Sequence, residues 1–491
     1  MSVRPENDCL SSGDALFLYF EREGQPVNVA AVSVFEGVIP LDLCAEYIES
    51  KLPLIPRYRQ RVVAPAYNID LPSWEYDRKF DIRHHVREVA LRRGTEAEFK
   101  TVAAKLLSTT MDREHPLWDF SLVRGLKSDR TGVVLRMHHC LVDGISGVGL
   151  LNVLMDANPA APPLPKRKRI QAPPAPDPGI LPGFGLITAS VSAAQRLLTA
   201  SLELLDMGSS AAKKPPQTEK AQTEAMPGTE VGALDKLKHL LEFSVRLPFN
   251  VVCTGPQKFG WAEIPLAEIK AVKQACGATV NDVVLTIVTA AIRRYAELHG
   301  VRLKGRRLRI IIPVNLRAEG EVAELGNRIS FMPVNIPLDI RDPRKLIAAV
   351  REATERGKNT HVAELVGLVG ALLGTIPTAL QALLGPVASR LPLSLCNLIC
   401  TNVPGPQYPL YLLGHKQLAC YPYVPIGGEM GMNCAILTYN GTAYFGFTGD
   451  AHAIPDLKRL ETFLSQSFAE LRKAAGIALA DLAKTPATRP T

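Results

Sequence analysis

The stretch of residues 132–154 constrains the fold of this chain more than any other. The apolar run GVVLRM at 132–137 predicts a strand, and it leads directly into HHCLVDG at 138–144. The Asp-Gly pair predicts a tight turn, and residues 145–154 predict a helix after it. A base at the carboxyl end of a strand, beside the start of the next helix, is common in the active sites of α/β folds. The stretch therefore predicts a strand–turn–helix unit that carries a candidate site.

Histidine is the residue type that makes this turn a candidate for catalysis. Its side chain titrates near neutral pH, so it can take a proton from an alcohol and return one to a leaving group. Because neighbouring strand residues point to opposite sides, only one of His138 and His139 can face a given pocket. Without its context such a pair is more often structural, and that alternative stays open at this point.

A metal site, a nucleophilic cysteine and a second catalytic histidine pair are all less favoured by the sequence. No second His/Cys pair with ligand spacing accompanies the motif, so we expect no metal site. We expect Cys140 not to be a nucleophile, because it directly follows His139 and should point away from it. A second pair, His84-His85, is followed by Val-Arg-Glu rather than by an Asp-Gly turn, and we interpret it as structural.

Further segments make the pattern specific. HHxxxDG at 138–144 resembles the motif of the CoA-dependent acyltransferase superfamily, which includes chloramphenicol acetyltransferases and peptide-synthetase condensation domains. The chain also resembles one branch of it, the bacterial wax ester synthase/diacylglycerol acyltransferases, over roughly residues 8 to 470. The matching segments, in the family's order, are LSSGDALFL (10–18), PLW (116–118), NDVVL (281–285), PVNLR (313–317), GNRIS (326–330) and TNVPGP (401–406). The departures are small: Gly13 stands where a proline is common, and Thr401 where a serine is common.

The resemblance implies an α/β (α+β) fold of two chloramphenicol-acetyltransferase-like subdomains with an active-site tunnel between them. A chain of 491 residues exceeds the usual size of one domain. We expect an N-terminal subdomain at 8–156, a Pro-rich crossover with an amphipathic helix at 157–236, a C-terminal subdomain at 237–475 and a flexible tail at 476–491.

The resemblance also assigns roles to residues. His139 matches the catalytic histidine of the motif and would accept the hydroxyl proton of an alcohol, whose oxygen attacks the thioester of an acyl-CoA. Asn281 would stabilise the oxyanion, and His139 would then protonate the departing CoA thiolate. This scheme has no covalent acyl-enzyme and no cofactor, since acyl-CoA is a substrate.

The remaining site residues are expected to support this chemistry. Asp143 would be structural, with Arg317 as its partner, and His138 would flank the site. The residues expected to contact substrate are Gly144, Pro116, Leu117, Trp118 and Asp282. From the residues alone, Thr279 and Asp282 also form a capping-box pattern, which puts Asn281 in the first turn of a helix. For Pro116, Leu117 and Trp118, packing in the hydrophobic core before a strand at 119–124 is as strongly favoured as contact with substrate.

Composition restricts the partners and the compartment. The net charge of +8 is spread over a long chain without a basic stripe interleaved with aromatics, so nucleic acid is not an expected partner. Nine cysteines without a framework spacing indicate a reducing cytoplasm. The first residues lack an apolar run, so we expect no secretory signal.

Two apolar stretches suggest contact with lipid. Residues 186–206 have apolar positions at helical spacing, typical of a crossover helix docked on a domain or of an interfacial membrane helix. Residues 365–385 carry no charge, but three glycines and Pro377 interrupt them, which favours two shorter helices over a bilayer span. These helices would line an acyl channel or dip into a membrane surface. We therefore expect a cytoplasmic protein associated peripherally with the inner membrane or lipid inclusions.

The function implied by the resemblance is transfer of a long-chain acyl group from acyl-CoA to diacylglycerol or a long-chain alcohol. The product would be triacylglycerol or wax ester. Two alternatives stay open: a related acyltransferase with a carrier-protein donor, and a lipid- or droplet-binding protein without catalysis. The presence of His139, Asp143 and Asn281 favours an enzyme over the second.

Overall fold

The computed structural model describes residues 9–142, 144–160, 246–315, 329–359, 376–388 and 396–478. Its helices are α1 (Ser12–Phe20), α2 (Leu41–Lys51), α3 (Ile82–His85), α4 (Glu96–Leu107), α5 (Gly144–Leu154), α6 (Leu266–Cys276), α7 (Val280–Leu298), α8 (Pro343–Asn359), α9 (Thr378–Ala388) and α10 (Lys458–Ala474). The strands of the first half are β1 (Asn28–Glu36), β2 (Gln60–Val63), β3 (Ser73–Tyr76), β4 (Val86–Ala90), β5 (Trp118–Leu126) and β6 (Arg130–His138). Those of the second half are β7 (Gln257–Pro265), β8 (Arg307–Asn315), β9 (Ile329–Pro337), β10 (Leu398–Pro404), β11 (Tyr411–Leu412), β12 (His415–Tyr423), β13 (Met432–Tyr439) and β14 (Thr442–Asp450).

Two six-stranded sheets organise these elements. The first has the order β11-β12-β1-β6-β5-β4, and the second has the order β7-β14-β13-β10-β8-β9. Most pairs are antiparallel, but β4 runs parallel to β5, and β10 runs parallel to both β13 and β8. Each sheet has its own cluster of buried apolar side chains. The expected fold class, two mixed αβ units, is confirmed.

The second half of the chain contributes two strands to the first sheet. β11 and β12 come from the second half of the chain, yet β12 pairs antiparallel with β1 and so completes the first sheet. Polar contacts also join the halves: the Gln25 amide donates to the Cys253 carbonyl at 2.9 Å, and Lys100 pairs with Glu461 at 2.9 Å. No sequence motif predicts this pairing, because none of the matched segments lies in β12.

The local signals in the sequence account for the element boundaries. Ser11 caps α1 by accepting from the Asp14 backbone N–H, and α2 begins directly after Pro40. At the start of α7, Thr279 and Asp282 form the predicted capping box. The predicted strand at 119–124 lies inside β5, and the strand before the histidines lies inside β6. Reciprocal capping satisfies backbone donors at helix starts, which is why such short patterns position helices well.

The structure describes part of only one of the two predicted apolar stretches. The predicted helix at 186–206 lies outside the described residues, and so does most of 365–385, but α9 begins directly after Pro377. Across the described ranges, no single helix is long and apolar enough to cross a membrane. The consecutive helices α6 and α7 reach that length only together, and they are bent by 99° at the break between them.

Candidate functional site

The two histidines lie at the carboxyl end of β6, in the middle of the first sheet. His138 is the last residue of this strand, and its backbone N–H donates to the Leu117 carbonyl at 2.9 Å. The backbone N–H of His139, one residue later, donates to the Val27 carbonyl at 2.9 Å. The chain on both sides of the strand therefore holds the backbone of the predicted motif in place.

The His138 side chain is sealed inside the protein and faces a carboxylate. It has no exposed surface, and its Nε2 lies 3.5 Å from Oε1 of Glu21, whose side chain is only 3% exposed. Its Nδ1 accepts the backbone N–H of Cys140 at 3.1 Å, so the other ring nitrogen, Nε2, carries the proton in the neutral ring. The imidazole therefore directs its N–H towards Glu21, which fixes the ring orientation.

Glu21 is the centre of a buried charge cluster. Its Oε2 accepts from Arg113 Nη2 at 3.0 Å, and its Oε1 accepts the Val27 backbone N–H at 3.2 Å. Burial alone would raise the pKa of this carboxyl, but the hydrogen bonds and charges of His138 and Arg113 outweigh burial and lower the pKa to about 2. Glu21 is consequently ionised at any physiological pH, and it stabilises positive charge on the His138 side of the site.

His139 is held differently, by an aromatic face. Its ring stacks on Phe17 of α1, with centroids 4.1 Å apart and planes inclined by 21°. The residue is half-buried. Val27 connects it to the carboxylate, because the Val27 N–H donates to Glu21 while the Val27 carbonyl accepts from His139. Hydrogen bonds through Val27 thus link His139 to Glu21, and His138 Nε2 lies within ion-pair distance of the same carboxylate.

Sequence reasoning missed Glu21, Arg113 and Phe17. Phe17 belongs to the LSSGDALFL segment, which gave a usable signal: an aromatic residue in a motif far from the histidines. Glu21 follows directly after the apolar helix α1, and Arg113 lies three residues before Pro116, the first residue of the PLW segment. Nothing in the sequence alone pairs two isolated charges 92 residues apart with a histidine.

Several predicted site residues are outside the described structure or only partly described. Asp143 and Arg317, expected to form a structural pair, lie outside the described residues. Gly144 is the first residue of α5. Their predicted roles stay predictions.

Asn281 and Asp282 lie in the first turn of α7, in the other half of the molecule. Asn281 is half-buried at the positive end of this helix. The Asp282 carboxylate accepts from the Thr279 backbone N–H at 2.8 Å and from the Thr354 hydroxyl at 2.8 Å, which gives it a structural task. Among the described residues, no hydrogen bond or ring contact joins Asn281 directly to either histidine. Their expected contacts with substrate stay predictions.

The segment from Pro116 to Trp118 is fully packed beside the site. Pro116, Leu117 and Trp118 are buried, and the Trp118 indole N–H donates to the Tyr58 carbonyl at 2.8 Å. Only the Leu117 carbonyl touches the histidine motif, through His138. The packing corresponds to the hydrophobic-core alternative, and the substrate-binding role stays untested.

The second histidine pair has the surroundings of a structural residue. His85 is sandwiched between Phe80 and Trp118, with ring centroids 5.0 and 4.5 Å away, and its Nδ1 bonds the Trp118 carbonyl. Burial lowers its pKa to about 4, so it is neutral at pH 7.

Burial raises the pKa of Cys140 well above its usual value, which keeps the thiol protonated and unsuited to nucleophilic attack.

A cavity of about 510 Å³ adjoins the charge cluster. Glu21 and Arg113 line it from the first half of the chain, and Ala382 and Pro386 of α9 line it from the second half. Its wall also includes the apolar side chains of Leu18, Val62 and Val63. A mostly apolar cavity with a few charged groups is a typical ligand site.

In the part of the chain that the structure describes, no group of three or more His, Cys, Asp or Glu side chains could hold a metal ion.

Comparison with known proteins gives consistent matches along nearly the whole chain. The family model of the wax ester synthase/diacylglycerol acyltransferase catalytic domain matches residues 10–284, and that of the WS/DGAT C-terminal domain matches residues 325–472. A relative from Mycobacterium tuberculosis named "Probable diacyglycerol O-acyltransferase tgs1" is 26% identical over 94% of this chain and 95% of its own length. A second, named "Probable diacyglycerol O-acyltransferase tgs2", is 28% identical over 96% of this chain and 100% of its own length.

Solved structures share the fold. The wax ester synthase/diacylglycerol acyltransferase from Marinobacter aquaeolei VT8 superposes with a TM-score of 0.65 at 24% identity, covering 96% of this chain and 100% of that one. The first condensation domain of the calcium-dependent antibiotic synthetase superposes with a TM-score of 0.54 at 15% identity, covering 96% of both chains. At these identities the likeness concerns the fold alone.

Proposed function

Because this chain belongs to the wax ester synthase/diacylglycerol acyltransferase family, we propose a specific reaction for it, with named residues. The family makes it an acyltransferase that forms triacylglycerols or wax esters. The donor is a long-chain acyl-CoA, and the acceptor is diacylglycerol or a long-chain alcohol. No cofactor takes part, since acyl-CoA is consumed as substrate.

His139 is the general base of this proposal. It takes the proton of the acceptor hydroxyl, and the oxygen attacks the thioester carbonyl to give a tetrahedral oxyanion. Collapse of this intermediate breaks the carbon–sulfur bond, and the His139 imidazolium returns its proton to the CoA thiolate. Asn281, at the positive end of α7, donates to the oxyanion. The acyl group passes directly from sulfur to oxygen without an acyl-enzyme.

The two adjacent histidines differ in burial and in the groups that they contact, and this difference is the observation that carries the proposal. His138 is sealed against Glu21, whereas His139 is half-buried, with its ring stacked on Phe17 and its backbone N–H bonded to the Val27 carbonyl. A proton carrier needs an accessible nitrogen and a fixed ring. The neighbouring carboxylate adds a negative field that favours the imidazolium formed during the reaction.

The site supports lipid substrates by its cavity as well. An apolar cavity beside Glu21 suits an acyl chain or the tail of an acceptor better than it suits a polar metabolite. Substrates and products of this kind are insoluble in water, so we also propose that the protein works at the surface of the inner membrane or of lipid inclusions, on the cytoplasmic side.

The test is thiol release from palmitoyl-CoA by the purified full-length protein. It is measured with hexadecanol, with dioleoylglycerol and without acceptor, alongside His139→Ala. Release that depends on an acceptor and disappears in the variant supports the proposal, and the faster acceptor identifies the product. Absence of release with both acceptors, followed by transfer from an acyl carrier protein, would replace acyl-CoA with a protein-bound donor.

A further inference from the structure

Helix α9 (Thr378–Ala388) has its polar and apolar faces reversed relative to a surface helix in water. The face that packs on the protein consists of Thr378, Gln381 and Gly385, all buried. The opposite face exposes Leu380, Leu383, Leu384 and Val387, and Leu383 reaches 70% exposure. The helix contains no charged residue. A surface helix of a globular protein normally shows the opposite arrangement, with its apolar stripe facing the core.

Specific contacts fix this orientation. The Thr378 hydroxyl donates to the Asn68 carbonyl at 2.6 Å, and the Gln381 amide donates to the Ile376 carbonyl at 2.7 Å. A Cβ at Gly385 would lie 2.7 Å from the Tyr19 carbonyl oxygen, so α9 approaches α1 as closely as only glycine permits. Rotating the helix to bury its leucines would break the hydrogen bond from Thr378 to Asn68 and press side chains against the α1 backbone.

The exposed face continues into an exposed aromatic residue. Tyr67, in the 66–68 turn that Thr378 binds through Asn68, is 90% exposed. Tyrosine combines an apolar ring with a polar tip, which suits the boundary between water and lipid. We call Leu380, Leu383, Leu384, Val387 and Tyr67 the outer face.

The inner side of the same helix leads to the candidate site. Ala382 and Pro386 form part of the wall of the cavity that Glu21 and Arg113 line, and Glu21 contacts His138. Arg61 also lines this cavity and is a cation that can pair with a lipid phosphate. One helix therefore separates the exposed apolar patch from the cavity that Glu21 and Arg113 line.

We infer that the outer face of α9 docks on a phospholipid surface, so that a water-insoluble acceptor enters the cavity from the lipid without crossing water. The lipid acceptor is the one step that rests on the proposed function. The docking itself rests on the reversed faces, the absence of charge on α9 and the position of the cavity behind it. Transfer of exposed leucines into lipid supplies the affinity.

The test is sedimentation of the full-length protein with vesicles of equal parts phosphatidylcholine and phosphatidylglycerol. The variant Leu383→Gln/Leu384→Gln removes apolar surface while keeping good helix formers. The matched control is Leu43→Gln/Leu298→Gln, because these leucines also lie on helices and are 48% and 51% exposed, close to the 47% of Leu384. We expect the partition coefficient to fall by about tenfold per leucine in the α9 variant and to change less than twofold in the control.

Three outcomes would overturn the inference. Equal vesicle binding by both double variants would remove α9 as the docking face. A lowered melting temperature of the α9 variant, with unchanged binding, would mean that another segment of this chain covers the face. A dimer in gel filtration that only the α9 variant dissociates would mean that a second copy covers it.

A second variant protects the test against misfolding of the first. Tyr67 has a φ of +56°, a region that asparagine tolerates, so Tyr67→Asn removes the ring with little backbone strain. We expect it to weaken vesicle binding several-fold. Because vesicle binding is measured without turnover, absence of acyl transfer would count against the proposed function and leave the docking result standing.

Discussion

The chain contains the same dipeptide twice, and the two copies have opposite surroundings. At His84-His85 the buried ring lies between Phe80 and Trp118 and bonds a backbone carbonyl. At His138-His139 the buried ring faces an ionised carboxylate, and its neighbour is half-buried against a single aromatic ring. In the first pair, burial keeps His85 neutral, whereas the second pair has an ionised carboxylate beside its buried ring.

The difference shows what makes a histidine useful for acid–base chemistry. Burial among aromatic rings lowers the pKa of His85 to about 4, which removes its charge from the physiological range. At the other pair, Glu21 supplies negative charge from the residue that follows α1, in a different segment of the chain.

The largest effect is expected from His139→Ala. Loss of the general base should lower turnover by about 10²- to 10⁴-fold, measured as acceptor-dependent thiol release. The protein should remain folded, because His139 is half-buried and its backbone hydrogen bond to Val27 does not need the side chain. If His139→Ala retains full activity while a folded His138→Ala loses it, the base is His138 and the comparison between the two rings is reversed.

The next effect is the contribution of His85 to stability at different pH. Its folded-state pKa of about 4 lies below the usual 6.5, so the unfolded chain binds more protons between these values. The stabilisation is complete above pH 6.5 and is lost as the pH falls towards 4, by roughly 3 kcal/mol at most. We expect the urea midpoint to fall more steeply between pH 7 and pH 5 in the wild-type protein than in His85→Phe. Parallel slopes would mean that other groups cause the acid sensitivity.

A smaller effect is expected from Glu21→Gln. Replacing the carboxylate keeps the shape but removes the charge that pairs with Arg113 and His138, so stability at pH 7 should drop by about 1–3 kcal/mol. Since the Glu21 pKa is lowered to about 2, this difference should shrink as the pH falls from 4.5 towards 2.

The matched control for this variant is Glu23→Gln, at an exposed glutamate two residues away. If Glu21 positions the histidines, Glu21→Gln should also shift the pH profile of turnover, and Glu23→Gln should not. Equal pH profiles for wild type and Glu21→Gln would reduce Glu21 to a purely structural ion pair.

The smallest effect is expected from His84→Ala. His84 is exposed, so its removal should change the free energy of unfolding by less than about 0.5 kcal/mol and leave thiol release unchanged. A loss of turnover comparable to that of His139→Ala would contradict the structural interpretation of this pair.

Much of the local architecture could be predicted from sequence. The capping box at Thr279, the helix at 41–51 and the strand that ends at His138 follow from short-range patterns. These features depend on hydrogen bonds and side-chain periodicity within a few residues. Because the residues involved are close together in the sequence, the sequence pattern predicts them. The order of motifs also identified the family and, through it, the fold class.

The tertiary structure alone decided the rest. It joined β12 to the first sheet, brought Glu21 and Arg113 to His138, and turned the leucines of α9 outward. Each of these depends on contacts between residues far apart in the chain, whose energies come from burial and charge pairing in three dimensions. The HHxxxDG motif alone distinguished His138-His139 from His84-His85. Packing between distant segments decided which groups surround His138-His139 and which surface leads to them. The physical reason is that a residue's environment is set by its neighbours in space.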